Sequence, residues 1–258
     1  EPGDRQRAAD ETRAALDRNG LTAPAVFTGL RAYSLNLLLH PDEDYRRQAR
    51  GWYAGVIDLA ARVGARAAGG HVGAMSTADW DDQARRAVRW AGLKHDLAEL
   101  AGLARSAGLD YLMIENLASP REPSTIAGIG DLLTDGDDAH VPLRLCLDVG
   151  HQCVPGTAGE DRDPYAWLAR FGAGLPEVQL QQTDGRGDHH WPFTAEHDDD
   201  ALIDPGRVLD TLADAGAEDV MLVLEVIPPF EADDRQVLAD LRESVTRWTT
   251  ALTERGLR

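Results

Sequence analysis

Strand-like and helix-like segments alternate along the whole chain, at intervals of roughly 30–40 residues, and this cadence builds a parallel sheet covered by helices. The short segments 25–28, 65–72, 111–115, 143–148, 177–183 and 221–226 read as strands. Between them the patterning predicts helices over 4–18, 43–63, 124–133, 163–171, 205–215 and 233–255. A helix capped by Thr77 or Asp79 is predicted to run to about Gly92, with another from there to about Ala107. Segment 29–40 is irregular, and 184–197 is a polar loop. The length of 258 residues matches one barrel of strand–helix units, for which about 250 is typical. The expected fold is therefore α/β, a (β/α)8 TIM barrel forming a single domain over 1–258. Only six strands are visible, so the first strands of such a barrel are expected to precede residue 1. An open barrel with unpaired strand edges is the alternative.

Composition narrows the partners. The net charge is −18, which repels phosphate backbones and argues against a nucleic-acid partner. No run of 18 apolar residues occurs, so no membrane span is predicted, and the first residues lack the apolar core of a signal peptide. Two cysteines, Cys146 and Cys153, make no disulfide framework and suit a reduced, cytoplasmic setting.

The chemistry is concentrated at strand ends. In 143–151, Leu143, Leu145 and Leu147 alternate with Arg144, Cys146 and Asp148, and Gly150 and His151 follow. A carboxylate at the C-terminal tip of a barrel strand lies where such folds keep their active sites. Glu115 and Glu225 end two other predicted strands. Three carboxylates converging on one mouth would repel one another strongly unless a divalent cation lay between them, and oxygen donors favour Mg²⁺ or Mn²⁺. Gln179 and Gln181 share one face of the strand between them, and either amide oxygen could complete the ligand set. His71 follows two glycines that permit close approach, and Asp188-His189-His190-Trp191 follows the glutamine strand. Arg121 and Arg186 are candidates for holding a phosphate. No glycine-rich phosphate cradle or dinucleotide fingerprint is present.

Taken in order, Gly69-Gly70-His71, Ile114-Glu115-Asn116, Leu147-Asp148-Val149-Gly150-His151, the Thr183-Asp184-Gly185 loop and Leu224-Glu225 resemble the xylose-isomerase-like TIM-barrel superfamily. That group includes the D-tagatose 3-epimerase-like sugar epimerases and the endonuclease IV relatives. The resemblance implies one divalent metal, Mg²⁺ or Mn²⁺, held by Glu115, Asp148, Glu225 and Gln181, with Gln179 as the second candidate. The epimerases place a histidine at that fourth position, where this chain has glutamine. It further implies Glu115 and Glu225 as the catalytic acid–base pair, with His151 and His190 as substrate contacts, and His71 and Arg121 are expected beside them from their own positions. The implied activity is isomerase or epimerase chemistry on a small ketose or ketose phosphate through an enediolate, with a carbohydrate as ligand and a homo-oligomer left open. A decarboxylase or dehydratase on the same scaffold is a near neighbour. A phosphodiester hydrolase of the endonuclease IV type is the alternative, and a non-catalytic sugar-binding barrel is a third.

Overall fold

The computed structural model describes residues 2–29 and 33–257. Residues 30–32 of the predicted irregular segment lie outside them. The chain forms two compact units: Glu1–Glu115 with Arg121–Pro123 and Gly130–Arg144, and Asn116–Pro120 with Ser124–Ile129 and Leu145–Arg258. Six strands and eight α-helices alternate among the described residues, as the cadence predicts.

The first unit holds α1 (Pro2–Asn19), β1 (Ala25–Phe27), α2 (Glu43–Val63), β2 (Ala67–Gly70), α3 (Thr77–Asp81), α4 (Gln83–Ser106) and β3 (Tyr111–Glu115). Its three strands are parallel, with Ala25 opposite Ala67 and Gly69 opposite Met113. Gly69 is there for room: a Cβ would come within 2.7 Å of the Met113 Cβ. Helix α2 buries Ala49, Tyr53, Val56, Ile57, Ala60 and Val63, a helical stripe facing the sheet. Asp42 caps its start, and Gly64, at φ 80°, ends it in the left-handed conformation that glycine adopts without penalty.

Two predicted boundaries in this unit are corrected. The cap of α3 is Ser76, whose hydroxyl accepts the Asp79 N–H at 3.1 Å, rather than Thr77 or Asp79. Gly92 ends nothing, because α4 runs through it from its own cap, Asp82. Leu93, Leu97, Leu100, Ala101 and Ala104 form one buried face immediately after the glycine. Their burial, about 1.5–3 kcal/mol for each large side chain, outweighs the roughly 1 kcal/mol that a mid-helix glycine costs.

After α5 (Ile126–Leu132) and β4 (Leu143–Asp148), the second unit contains β5 (Glu177–Leu180), β6 (Met221–Leu224), α6 (Pro164–Phe171), α7 (Pro205–Asp214) and α8 (Asp234–Glu254). Here too the strands are parallel: Asp148 lies opposite Gln179, and Gln179 opposite Val223. Pro164 and Pro205 sit in the first turns of α6 and α7, behind aspartate caps at Asp163 and Asp204. β5 is fully buried and ends at Leu180, earlier than predicted. Gln182 leaves the parallel ladder and forms an isolated antiparallel bridge with Trp191. That bridge folds the intervening loop back over the end of the strand. No helix among the described residues is long and apolar enough to cross a membrane.

Candidate functional site

Asp148, at the tip of β4, is wholly buried and held from several sides. Its carboxylate accepts the backbone N–H groups of Gly150 at 2.6 Å and His151 at 3.1 Å. The Asn116 side chain clamps its backbone, donating to the Asp148 carbonyl at 3.0 Å and accepting the Asp148 N–H at 2.9 Å. Gln152 donates to the same carbonyl at 2.9 Å. A carboxylate fixed in this way cannot swing out to solvent, so whatever binds must come to it.

The loop after β5 brings the other groups. The Gln182–Trp191 bridge closes it with hydrogen bonds of 2.9 and 3.1 Å, and Thr183 Oγ1 donates to the Gly187 carbonyl at 2.8 Å. Trp191 is stacked between His189 and His197, with ring centroids 4.0 and 4.5 Å away. This closure delivers Asp188 and His190. His190 has φ 49°, the one positive φ outside glycine among the described residues. Such a backbone costs about 1–3 kcal/mol and persists where its surroundings over-determine it.

Both loop-facing histidines have their tautomers set by carbonyls. His151 Nδ1 donates to the Asn116 carbonyl at 2.7 Å, and His190 Nδ1 to the Glu225 carbonyl at 2.9 Å. A carbonyl only accepts, so Nδ1 carries hydrogen and Nε2 is left for another partner. Both Nε2 atoms face Asp188 Oδ1, at 3.4 Å from His151 and 3.1 Å from His190. Burial opposes ionisation of Asp188, yet its bonds to His151 and His190 hold its carboxyl well below the usual range. For His190, burial pulls the pKa down, but the bond to Asp188 and the field of Asp148 together push it up to about 9. Glu225, just past β6, is pushed up to about 7 by burial and by the neighbouring Asp148.

Two groups of side chains could hold a metal ion. Ligand atoms of Asp148, His190 and Glu225 lie within 4.8 Å of one another, as do those of His151, Asp188 and His190. Glu225 Oε2 is buried with no hydrogen-bond partner. Two adjacent acids, an imidazole nitrogen with its tautomer already set, and an orphaned carboxylate oxygen fit a divalent cation. Gln181 is drawn into the same cluster, but its oxygen accepts the His190 N–H at 2.7 Å, and its nitrogen faces Asp148. Gln179 is buried on the β5 strand with its Oε1 unpartnered.

The unit that holds β1–β3 carries the remaining predicted residues. His71 is buried and stacks on Tyr33, with ring centroids 4.0 Å apart, and the Tyr53 hydroxyl donates to its carbonyl. Glu115, at the tip of β3, is buried. Arg121 donates to the Met75 carbonyl, which occupies part of its guanidinium. Two residues of the cluster were named from sequence only within motifs, Asn116 in Ile114-Glu115-Asn116 and Asp188 in Asp188-His189-His190-Trp191, and neither was given a role of its own there.

Residues 2–245 match the family described as xylose isomerase-like TIM barrel. The chain belongs to this family. It is similar to D-erythrulose 1-phosphate 3-epimerase of Brucella abortus (strain 2308), at 32% identity over 239 residues, covering 91% of this chain and 76% of that one. Among solved structures, a protein from Rhodospirillum rubrum assigned as a xylose isomerase matches with a TM-score of 0.87 and 30% identity, over 97% of this chain and 84% of the other. D-psicose 3-epimerase from Clostridium cellulolyticum H10 matches at 15% identity and TM-score 0.69, over 96% of this chain and 84% of the other, a likeness of fold. The fold class is thus that of the TIM-barrel family, and the chain is an enzyme of this family of sugar isomerases and epimerases.

Proposed function

We propose that this enzyme is a divalent-metal-dependent epimerase or isomerase of a small ketose or ketose phosphate, working by proton transfer at the carbon beside the carbonyl. The observation that carries the reading is the grouping of Asp148, His190 and Glu225, with one Glu225 oxygen buried and without a hydrogen-bond partner. Asp148, His190 and Glu225 would hold the metal in this unit, with Glu115 added by the resemblance. When bound, the cation would supply electrostatic stabilisation of the negative charge that develops on substrate oxygens. Glu225 takes or returns the proton at carbon, and Glu115 is the partner acid that the resemblance implies. His151 offers a polar contact to substrate hydroxyls, whereas His190, a substrate contact in the resemblance, is taken here as a ligand, and His71 and Arg121 remain the proposed contacts on their own unit.

The Brucella relative makes D-erythrulose 1-phosphate the first substrate to try. Turnover in D₂O with Mn²⁺ present should place deuterium on the carbon next to the carbonyl. Turnover without incorporation would argue for hydride transfer or for a fully shielded proton. A phosphodiester hydrolase is favoured by one observation, the second metal-type group at His151, Asp188 and His190. Cleavage of abasic-site DNA together with more than one bound ion per chain would support it. The charge of −18 weighs against it.

A further inference from the structure

The carboxamide of Gln181 is engaged at both ends. Oε1 accepts the backbone N–H of His190 at 2.7 Å. Nε2 donates to both Asp148 oxygens, at 3.0 and 3.2 Å, and to Asp188 Oδ1 at 3.0 Å. Chemistry sets this orientation. A backbone N–H can only donate, so the amide oxygen must face it; turning the amide over would set donor against donor and oxygen against two carboxylates. Gln181 therefore shows hydrogens, not a lone pair, to a cation seated beside Asp148.

His190 shows the opposite. With Nδ1–H committed to the Glu225 carbonyl, Nε2, which faces Asp188 at 3.1 Å, is the ring nitrogen that can turn a lone pair to a cation once its proton is displaced, and the residue has a ligand atom within 4.8 Å of those of Asp148 and Glu225. Its left-handed backbone is braced by Gln181 on its N–H and by Ile227, whose N–H donates to the His190 carbonyl at 3.1 Å. Gly150 leaves room for the brace. A Cβ there would lie 2.3 Å from Gln181 Cδ and 2.6 Å from its Oε1, although the φ of −102° suits any residue. We infer that His190, delivered by the loop, is the nitrogen ligand of the divalent site, and that Gln181 is a positioning residue that fixes His190, Asp148 and Asp188 without ligating. This inference rests on the metal-dependent reading above. It also moves the expected preference from Mg²⁺ toward divalent ions that imidazole suits, such as Fe²⁺ or Zn²⁺, and Mn²⁺ serves as the paramagnetic probe.

Pulsed electron paramagnetic resonance of the Mn²⁺-loaded wild-type chain reads the ligand directly. Nitrogen modulation from a coordinated imidazole is expected in the wild type and in His151→Asn, and its loss in His190→Asn, where asparagine tolerates the left-handed backbone. Gln181→Leu and Gly150→Ala should both weaken Mn²⁺ binding, by about 10–100-fold, while the modulation persists in the residual complex. Thermal melts of each variant report folding, and the wild-type spectrum needs no variant at all. Bound Mn²⁺ without imidazole modulation, or modulation that survives in His190→Asn, overturns the assignment of His190 while the epimerase reading stands. Unchanged affinity in both Gln181→Leu and Gly150→Ala overturns the role of Gln181. A wild-type chain that binds no Mn²⁺ overturns this inference and the metal-dependent reading together.

Discussion

Single residues decide the chemistry. Asp148 is immobilised by backbone N–H donors and by Asn116, and Glu225 lies beside it with one oxygen unpartnered. Replacing either catalytic candidate by its amide keeps the shape and removes the base. Glu225→Gln and Glu115→Gln are each expected to lower the rate by about 10²–10⁴-fold, the usual worth of a positioned base. Steady-state kinetics on the ketose phosphate measures this, and full activity in either variant removes that glutamate from the mechanism. A different carboxyl supplies a pH test away from the cluster. Glu177 is buried at the start of β5, and burial pushes its pKa up, against the weaker effect of the Cys146 thiol that donates to it at 3.6 Å. A raised carboxyl pKa means that the folded chain holds the proton more tightly than the unfolded chain does. The associated stability is complete below the unfolded value, about 4.3, and is lost as pH rises through the folded one. Glu177→Gln should therefore melt close to the wild type near pH 4 and above it at pH 8. Equal melting temperatures at pH 8 would mean that Glu177 ionises in the fold without cost.

At the level of elements, side-chain burial overrides local stop signals. Gly92 carries the composition of a helix end, yet α4 continues into the buried stripe that begins at Leu93, from a cap ten residues before the glycine at Asp82. An added Cβ at Gly92 meets nothing within 4 Å. Gly92→Ala should gain about 0.5–1 kcal/mol, or roughly 1–4 °C in melting temperature, by reducing the freedom of the unfolded chain. A lower melting temperature would speak against an unbroken helix. The end of β5 shows the same precedence. Residues 181–183, Gln-Gln-Thr, are predicted to extend the strand, but the pairing of Gln182 with Trp191 takes them out of the ladder. That exchange sets the loop carrying Asp188 and His190.

For the whole molecule, the dominant quantity is charge. A net −18 adds self-repulsion to the folded state, and the carboxylates gathered at the candidate site add to it locally. A cation that binds only the folded chain should relieve the local part. Mn²⁺ at 100 times its dissociation constant is expected to stabilise the chain by about 2.7 kcal/mol, or roughly 5–10 °C. Calorimetry with Mn²⁺ and with a chelator measures the difference, and Asp148→Ala should abolish it. Identical melts under the two conditions would leave the carboxylate cluster without a cation to explain it.

The alternation of strands and helices, most helix limits and the three acids at strand tips were legible in the sequence, because they depend on local periodicity and on short-range caps. The α2 helix falls on its predicted residues, and β3 and β4 end at Glu115 and Asp148 as expected. The arrangement around Gln181 was not legible. Which way an amide turns depends on a backbone N–H nine residues later, and that N–H is in place only because Gln182 and Trp191 pair across the loop. The left-handed backbone of His190 and the need for glycine at position 150 likewise follow from contacts between segments distant in the chain. Periodicity assigns a residue to a face; the direction of its hydrogen bonds is settled only when the partners it meets across space are in position.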